Sequence, residues 1–264
     1  MSLSKASPLT PSAQTFKTVI NVALYLAVAV FAFAVLQVNP FQVLTAGPGL
    51  MAWTMTNFFP LELNHLGVFM SAAFDTLLFA VVGTYVSAVL SFILGICLSE
   101  SLMPNPVIRG LFRFWVSFLR NIPVLVWTSI LVFVFGIGNL VGLIALVLAT
   151  VGFLARSYAE SMNAIADTKL EAMRASGASW LQVIVHGLMP EFAPEWLNWT
   201  LFSFEINLRA SAILGVVGAG GIGILIQSHL NLRNFGQAGT LIVLLVAMVL
   251  ASELSVNLLR KRLN

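Results

Sequence analysis

Charge is the scarcest thing in this sequence. Asp, Glu, Lys and Arg together make up 9% of its 264 residues, against about 25% in a soluble globular domain. With 59% hydrophobic residues, a water-soluble fold is excluded and the natural solvent is a bilayer. Cysteine is nearly absent as well. Cys97 stands alone, which excludes an internal disulfide, a CxxC motif or a thiolate cluster within one chain; it reads as a small apolar residue of a membrane helix. No Gly-Lys dipeptide occurs, so there is no Walker A phosphate loop, and any ATP has to be handled by another chain. The three histidines, His65, His186 and His229, are far apart and fall on opposite sides of the expected membrane, which argues against a metal site. No Ser–His–acid constellation suggests itself. A net charge of +3 would hint at nucleic acid in a soluble protein. Here Lys and Arg sit at the ends of apolar runs, where they report orientation instead.

What is present is apolar length. A helix needs about 20 apolar residues to cross the hydrocarbon core. Val19 to Val38, Ala72 to Leu98, Asn139 to Leu154 and Leu241 to Leu259 read as spans. Ile122 to Phe135 is short, so its helix is expected to reach back through Leu111 to Leu119, with Pro123 marking a kink or a break. Trp196 to Leu214 is long enough but carries Glu205, Asn207 and Arg209. The expectation is an all-α integral membrane protein of about six transmembrane helices: a tail over residues 1–18, then one domain over 19–264. The first apolar run is too long for a signal peptide and no good cleavage site follows it, so it reads as retained. The tryptophans fall mostly near the expected interfaces.

Basic residues set the orientation. Lys5 and Lys17 precede the first span, and Arg109, Arg113 and Arg120 lie between the second and third. Lys169 and Arg174 lie between the fourth and fifth, and Arg260, Lys261 and Arg262 follow the sixth. Residues 39–71 hold no Lys or Arg, and 215–236 hold only Arg233. Both termini and the segment of about 160–195 are therefore expected in the cytoplasm, and the glycine-rich segment of about 215–236 outside.

The loop of about 35 residues is long enough to need structure or a job. Asp167 or Thr168 can cap a helix over Lys169–Ser176, with Glu171 well placed against the dipole, and Gly177 can end it. Trp180–Leu188 can form a second short helix, stopped before Pro190. Such a pair makes a knob projecting into the cytoplasm, or else lies on the membrane surface.

The motif "EAMRASGAS" (Glu171–Ser179), followed by Pro190 and Pro194, resembles the EAA loop of ABC importer permeases, with Met173 where the family form has a second alanine. "RNIPVLVW" (Arg120–Trp127), "YAESMNAIAD" (Tyr158–Asp167), "GASWLQVI" (Gly177–Ile184) and "FEINLRASAILGVVGAGGIG" (Phe204–Gly223) together resemble the phosphonate-type permeases, the PhnE family. The similarity runs from about Phe74 to the C-terminus. It implies a type I importer architecture in the bacterial inner membrane. It also implies Glu171, Ala172, Ser176, Gly177 and Pro190 as the contact to an ATPase. The partners would be a second permease copy, two ABC ATPase subunits that bind ATP and Mg, an extracytoplasmic solute-binding protein and lipid, with no cofactor in this chain and no nucleic acid. The cargo would be phosphonate, phosphite or phosphate.

Two features then invite a pathway role. Arg209 is the one basic residue expected well inside a span, and intramembrane charges are expensive. Glu205 lies one turn before it, so the two either line the path or form a structural pair. Asn207 is off that face and free to reach a neighbouring helix. In "GVVGAGGIG", five of nine residues are glycine. Gly218, Gly220 and Gly223 spell a formal GxGxxG, but no βαβ unit surrounds them, so a dinucleotide site is rejected. With Gly221 they suit an outer gate or an anion-binding nest, or else tight helix packing. Two other functions stay open: an importer of the same design for another solute such as an amino acid, and an ion-coupled secondary transporter, for which Asp75 and Glu205 give thin support.

Overall fold

The computed structural model describes residues 11–37, 39–166 and 169–263. Among them there are helices and no strands. In order these are α1 (Pro11–Val35), α2 (Pro40–Phe58), α3 (Leu66–Leu98), α4 (Pro106–Asn121), α5 (Val124–Phe135), α6 (Asn139–Ala166) and α7 (Lys169–Ala175). A short α8 (Trp180–Gln182) then runs through a π turn, Val183–Leu188, into α9 (Met189–Val216), followed by α10 (Gly221–Asn231) and α11 (Phe235–Leu263). Five apolar stretches are long enough to cross a membrane, and a sixth if α4 and α5 count as one broken span. The chain divides into two compact units, 1–57 and 58–264.

The first unit holds α1 and nearly all of α2. α1 exposes apolar side chains along its length, among them Val22, Leu26, Phe31 and Val35. Glycine and proline ordinarily interrupt a helix, yet α2 runs across Gly47, Pro48 and Gly49. Asn39 Oδ1 accepts the Phe41 amide at 3.0 Å at its start, and Pro48 is carried inside the helix.

In the second unit α3, α6 and α9 form the centre. α3 and α6 approach through small side chains, Ala80, Ala88, Ser91, Ala145 and Ala155, all at most 1% exposed. Between helices in lipid, close packing of small residues and interhelical hydrogen bonds replace the hydrophobic drive of water. Asn207 on α9 supplies the bond expected of it, and in both directions: its Nδ2 donates to Thr84 Oγ1 on α3 at 2.9 Å, and its Oδ1 accepts from Thr150 Oγ1 on α6 at 2.8 Å.

Two expectations are corrected here and one is narrowed. At Pro123, expected as a kink or a break, the structure has the break: α4 and α5 are separate helices at 87°, with Pro123 as the N-cap of α5. α5 has 12 residues and so about 18 Å of length, too little to cross a bilayer alone. The fourth span does not end at Leu154, since α6 continues to Ala166. Nor does the Trp180 helix stop before Pro190. Proline is tolerated in a first helical turn, and the π turn before it shifts register so that the Met189 amide reaches Ile184 O, which lets the helix run on into α9. The proposed caps Asp167 and Thr168 lie outside the described residues.

Candidate functional site

The segment after α6 folds as a corner. α7 ends where Gly177 takes φ +84°, and the Ala178 amide reaches back to Met173 O at 3.1 Å in a Schellman-type closure. Ser179 then starts α8 with a capping box: its Oγ accepts from the Gln182 amide, and the Gln182 side chain accepts from the Ser179 amide at 2.8 Å. Beneath the corner, Leu170, Val183 and Leu188 are at most 1% exposed and pack with Tyr158, Met162 and Phe192. The residues singled out for partner contact are all on the outside: Glu171, Ala172, Ser176, Gly177 and Pro190 are exposed. Ser176 is partly spent at home, its hydroxyl donating to Met173 O at 2.8 Å.

Three residues of this corner escaped the sequence pattern. Gly187 is buried, and a Cβ there would meet Met173 Sδ at 2.7 Å and Leu170 Cδ2 at 2.8 Å, so its lack of a side chain is what lets α7 lie on the π turn. Arg174 Nη2 donates to Ser101 O, and Trp180 Nε1 donates to Leu102 O at 3.1 Å. Both acceptors belong to the turn between α3 and α4. That turn is anchored from below, with Leu102 1% exposed in the same apolar cluster. A groove of 610 Å³ opens between turn and corner, lined by Glu100, Ser101, Glu171, Arg174 and Trp180. Hydrogen bonds that join residues over seventy positions apart leave no periodic trace in a sequence.

The glycine run follows α9, which ends at Val216, and joins it to α10 within one apolar stretch, Trp180–Asn231. Gly218, Gly220 and Gly221 take φ +95°, +89° and +67° in the turn. Gly223 is pressed onto the last turn of α9, where a Cβ would lie 2.0 Å from Ala212 O and 2.9 Å from Gly215 Cα. The Ile222 amide donates to Thr76 Oγ1 at 2.8 Å, which ties α10 to α3. A cavity of 530 Å³ borders the turn, with Gly220, Gly221, Asn139 and Asp75 in its wall.

Glu205 and Arg209 do not pair. Glu205 Oε1 lies 3.3 Å from Arg260 Nη2, with the side chains 10% and 29% exposed, and the contact is charge to charge without hydrogen-bond geometry. A carboxylate inside a span needs a counter-charge, and Arg260 reaches it from α11. Arg209 turns instead into an apolar groove of 390 Å³ shared with Ala212, Val216, Ile226, Val246 and Leu250, and has no ion pair among the described residues. Helical spacing put Glu205 and Arg209 on one face, but only tertiary packing could reveal the competitor.

The profile of the family described as "Binding-protein-dependent transport system inner membrane component" matches residues 87–264. The chain belongs to that family. Among the family's curated relatives, the "Phosphate-import permease protein PhnE" of Mycolicibacterium smegmatis is 31% identical over 236 residues, covering 89% of this chain and 44% of that one. The chain thus spans less than half the length of that relative. The "Phosphite transport system permease protein PtxC" of Stutzerimonas stutzeri is 32% identical over 187 residues, 71% of this chain and 68% of that one. Among solved structures, an inward-facing MetNI methionine ABC transporter chain matches with a TM-score of 0.66 at 23% identity, over 77% of this chain and all of that one. An amino acid ABC transporter chain matches at 0.64 and 17% identity. At those identities the likeness speaks to fold alone: that of the ABC importer permeases.

Proposed function

We propose that the chain is the membrane-spanning permease subunit of an ATP-driven importer for a phosphorus oxyanion: phosphonate, phosphite or phosphate. The exposed corner at Gly177, standing on the buried cluster beneath it, carries this reading, because it offers a separate ATPase a rigid handle on α6 and α9. Relatives whose names specify phosphate and phosphite transport, at 31% and 32% identity, support the cargo class. ATP and Mg would be bound by that partner, with no cofactor here. The assembly would hold two permease copies, two ATPase subunits and an extracytoplasmic binding protein, with both termini of this chain in the cytoplasm. The cargo would cross by alternating access. An amino-acid cargo is the second reading, favoured by a glutamine-transporter relative of Bacillus subtilis at 29% identity over 218 residues.

Purification of the tagged chain with its ATPase and binding protein tests this, followed by uptake of labelled phosphite, methylphosphonate and glutamine into vesicles. Oxyanion uptake that needs ATP is expected, and amino-acid uptake or dependence on an ion gradient overturns the reading. Glu171→Ala and Gly177→Leu should leave the chain in the membrane but loosen the ATPase or stop stimulated hydrolysis. An impermeant thiol reagent should reach Ser228→Cys from outside the cell and miss Ser179→Cys. Labelling of Ser179→Cys from outside would reverse the orientation.

A further inference from the structure

Away from the groove and the glycine break, α4 and α6 face each other across a third cavity, of 210 Å³. Arg113, Ser117 and Arg120 form one face of α4 at helical spacing. Arg156, Glu160 and Asn163 form the facing side of α6. The helices are held together beneath it. Val116, Leu98, Ala155 and Ala159 make a buried cluster, and Gly152 lets α4 come so close that a Cβ there would meet Arg120 N at 2.5 Å. The backbone carrying Arg120 therefore cannot drift from α6.

Five of the nine residues that line this cavity carry donors, beside the Glu160 carboxylate and three apolar side chains. Three guanidinium groups line it. Arg156 pairs with Glu160 at 2.7 Å, and Arg113 with Glu100 at 3.0 Å. Arg120 has no ion pair among the described residues. Asn163 adds a donor that can be assigned from its partners. Its Oδ1 accepts from Ser99 Oγ at 2.7 Å and from the Glu100 amide at 3.0 Å, which leaves the NH2 group for the cavity. The Ser117 hydroxyl completes the set. Planar, forked guanidinium groups beside neutral donors match the oxygens of a phosphoryl or phosphonyl group. A volume several times the roughly 30 Å³ share of a water in the liquid leaves room for one such group.

We propose that this cavity binds a phosphorus oxyanion, with Arg120 supplying the uncompensated charge and Asn163 and Ser117 orienting the oxygens. Two sources fit that chemistry: the transported anion on its way out, which rests on the function proposed above, and the phosphate of an anionic lipid headgroup, which does not.

The experiment measures binding rather than transport, so it stands whether or not that function holds. Inorganic phosphate is titrated by calorimetry into the purified chain in zwitterionic lipid. In parallel, native mass spectrometry counts retained phosphatidylglycerol after incubation with mixed vesicles. Saturable phosphate binding assigns the site to a free anion. Phosphatidylglycerol retention that phosphate fails to displace assigns it to a headgroup. In either arm, Arg120→Gln should weaken binding on the order of tenfold, with Arg120→Lys recovering part. Asn163→Asp keeps both accepted hydrogen bonds but turns the free donor into a carboxylate, and should weaken it at least as much with thermal stability unchanged. Binding of neither ligand, or wild-type binding in both Arg120→Gln and Asn163→Asp, overturns the proposal.

Discussion

Two glycine corners interrupt the helices of this chain, and they use glycine differently. At Gly177 only the backbone torsion calls for it. φ is +84°, and a Cβ there would meet nothing within 4 Å. At Gly215–Gly223 the torsions are also positive at three positions, but space decides: Gly220, Gly221 and Gly223 each face an atom within 2.5 Å of where a Cβ would stand. An open corner tolerates a change of neighbour and suits a docking surface. A filled one fixes the relative position of α3, α9 and α10, and has no slack for a side chain. The difference can be tested through stability, from the largest expected loss to the smallest.

Gly223→Ala should be the most damaging. The obstacle at 2.0 Å is the carbonyl of Ala212, a backbone atom that cannot swing aside. A loss of about 3 kcal/mol is expected, read as a lower unfolding temperature in detergent and a poor yield of folded protein. An unchanged unfolding temperature would show that α10 is not pressed on α9.

Asn207→Leu comes next. It removes two buried hydrogen bonds and leaves Thr84 and Thr150 to find other partners, at a cost of about 1–2 kcal/mol. A Leu variant as stable as wild type would mean that close packing alone holds α3, α6 and α9.

Gly177→Ala should cost about 1 kcal/mol, the torsional penalty alone, and Gly177→Asn less, since asparagine enters the left-handed region more readily. The hydrogen bonds of Arg174 and Trp180 to the α3–α4 turn sit beside this corner and make a separable test. If the corner docks the proposed ATPase and the turn moves with it, Arg174→Ala combined with Trp180→Phe should retain the ATPase and its hydrolysis while lowering solute moved per ATP. An unaltered ratio would mean that the turn is a bystander.

The two corners were also unequally legible in the sequence. Gly177 was read correctly as the end of a helix starting at Lys169, because helix termination is local chemistry. The glycine run was noticed for its composition, and the helix end before it, expected at Leu214, falls at Val216; what composition could not show is that Gly223 presses against Ala212 and Gly215. Pro123 announced a discontinuity, but its 87° angle depends on how α4 packs against α6. Pro190 was misread as a stop because a π turn ahead of it has no sequence signature. The charged residue types inside the fifth span were visible, while their partners were not. Nothing local distinguishes Arg209 from Arg260 as the counter-charge to Glu205.

Of the two arginines in that exchange, Arg209 gives the smallest stability effect and the most specific functional one. Arg209 forms no ion pair among the described residues and lies exposed in an apolar groove, so Arg209→Gln should shift stability by less than about 0.5 kcal/mol. Arg260→Gln should cost more, about 3 kcal/mol, because it strands the nearly buried Glu205 carboxylate. Glu205→Gln with Arg260→Gln should recover most of that, since both charges leave together. If Arg209 serves the cargo, Arg209→Ala abolishes uptake with the ATPase still attached, and Arg209→Lys recovers only part, lacking the fork that matches phosphoryl oxygens. Should Arg209→Gln transport at the wild-type rate in a stable complex, Arg209 is not on the path. The burden of desolvating a charged cargo then falls on the backbone donors of Gly218–Gly223 and, at the other end of α6, on the arginines facing Asn163.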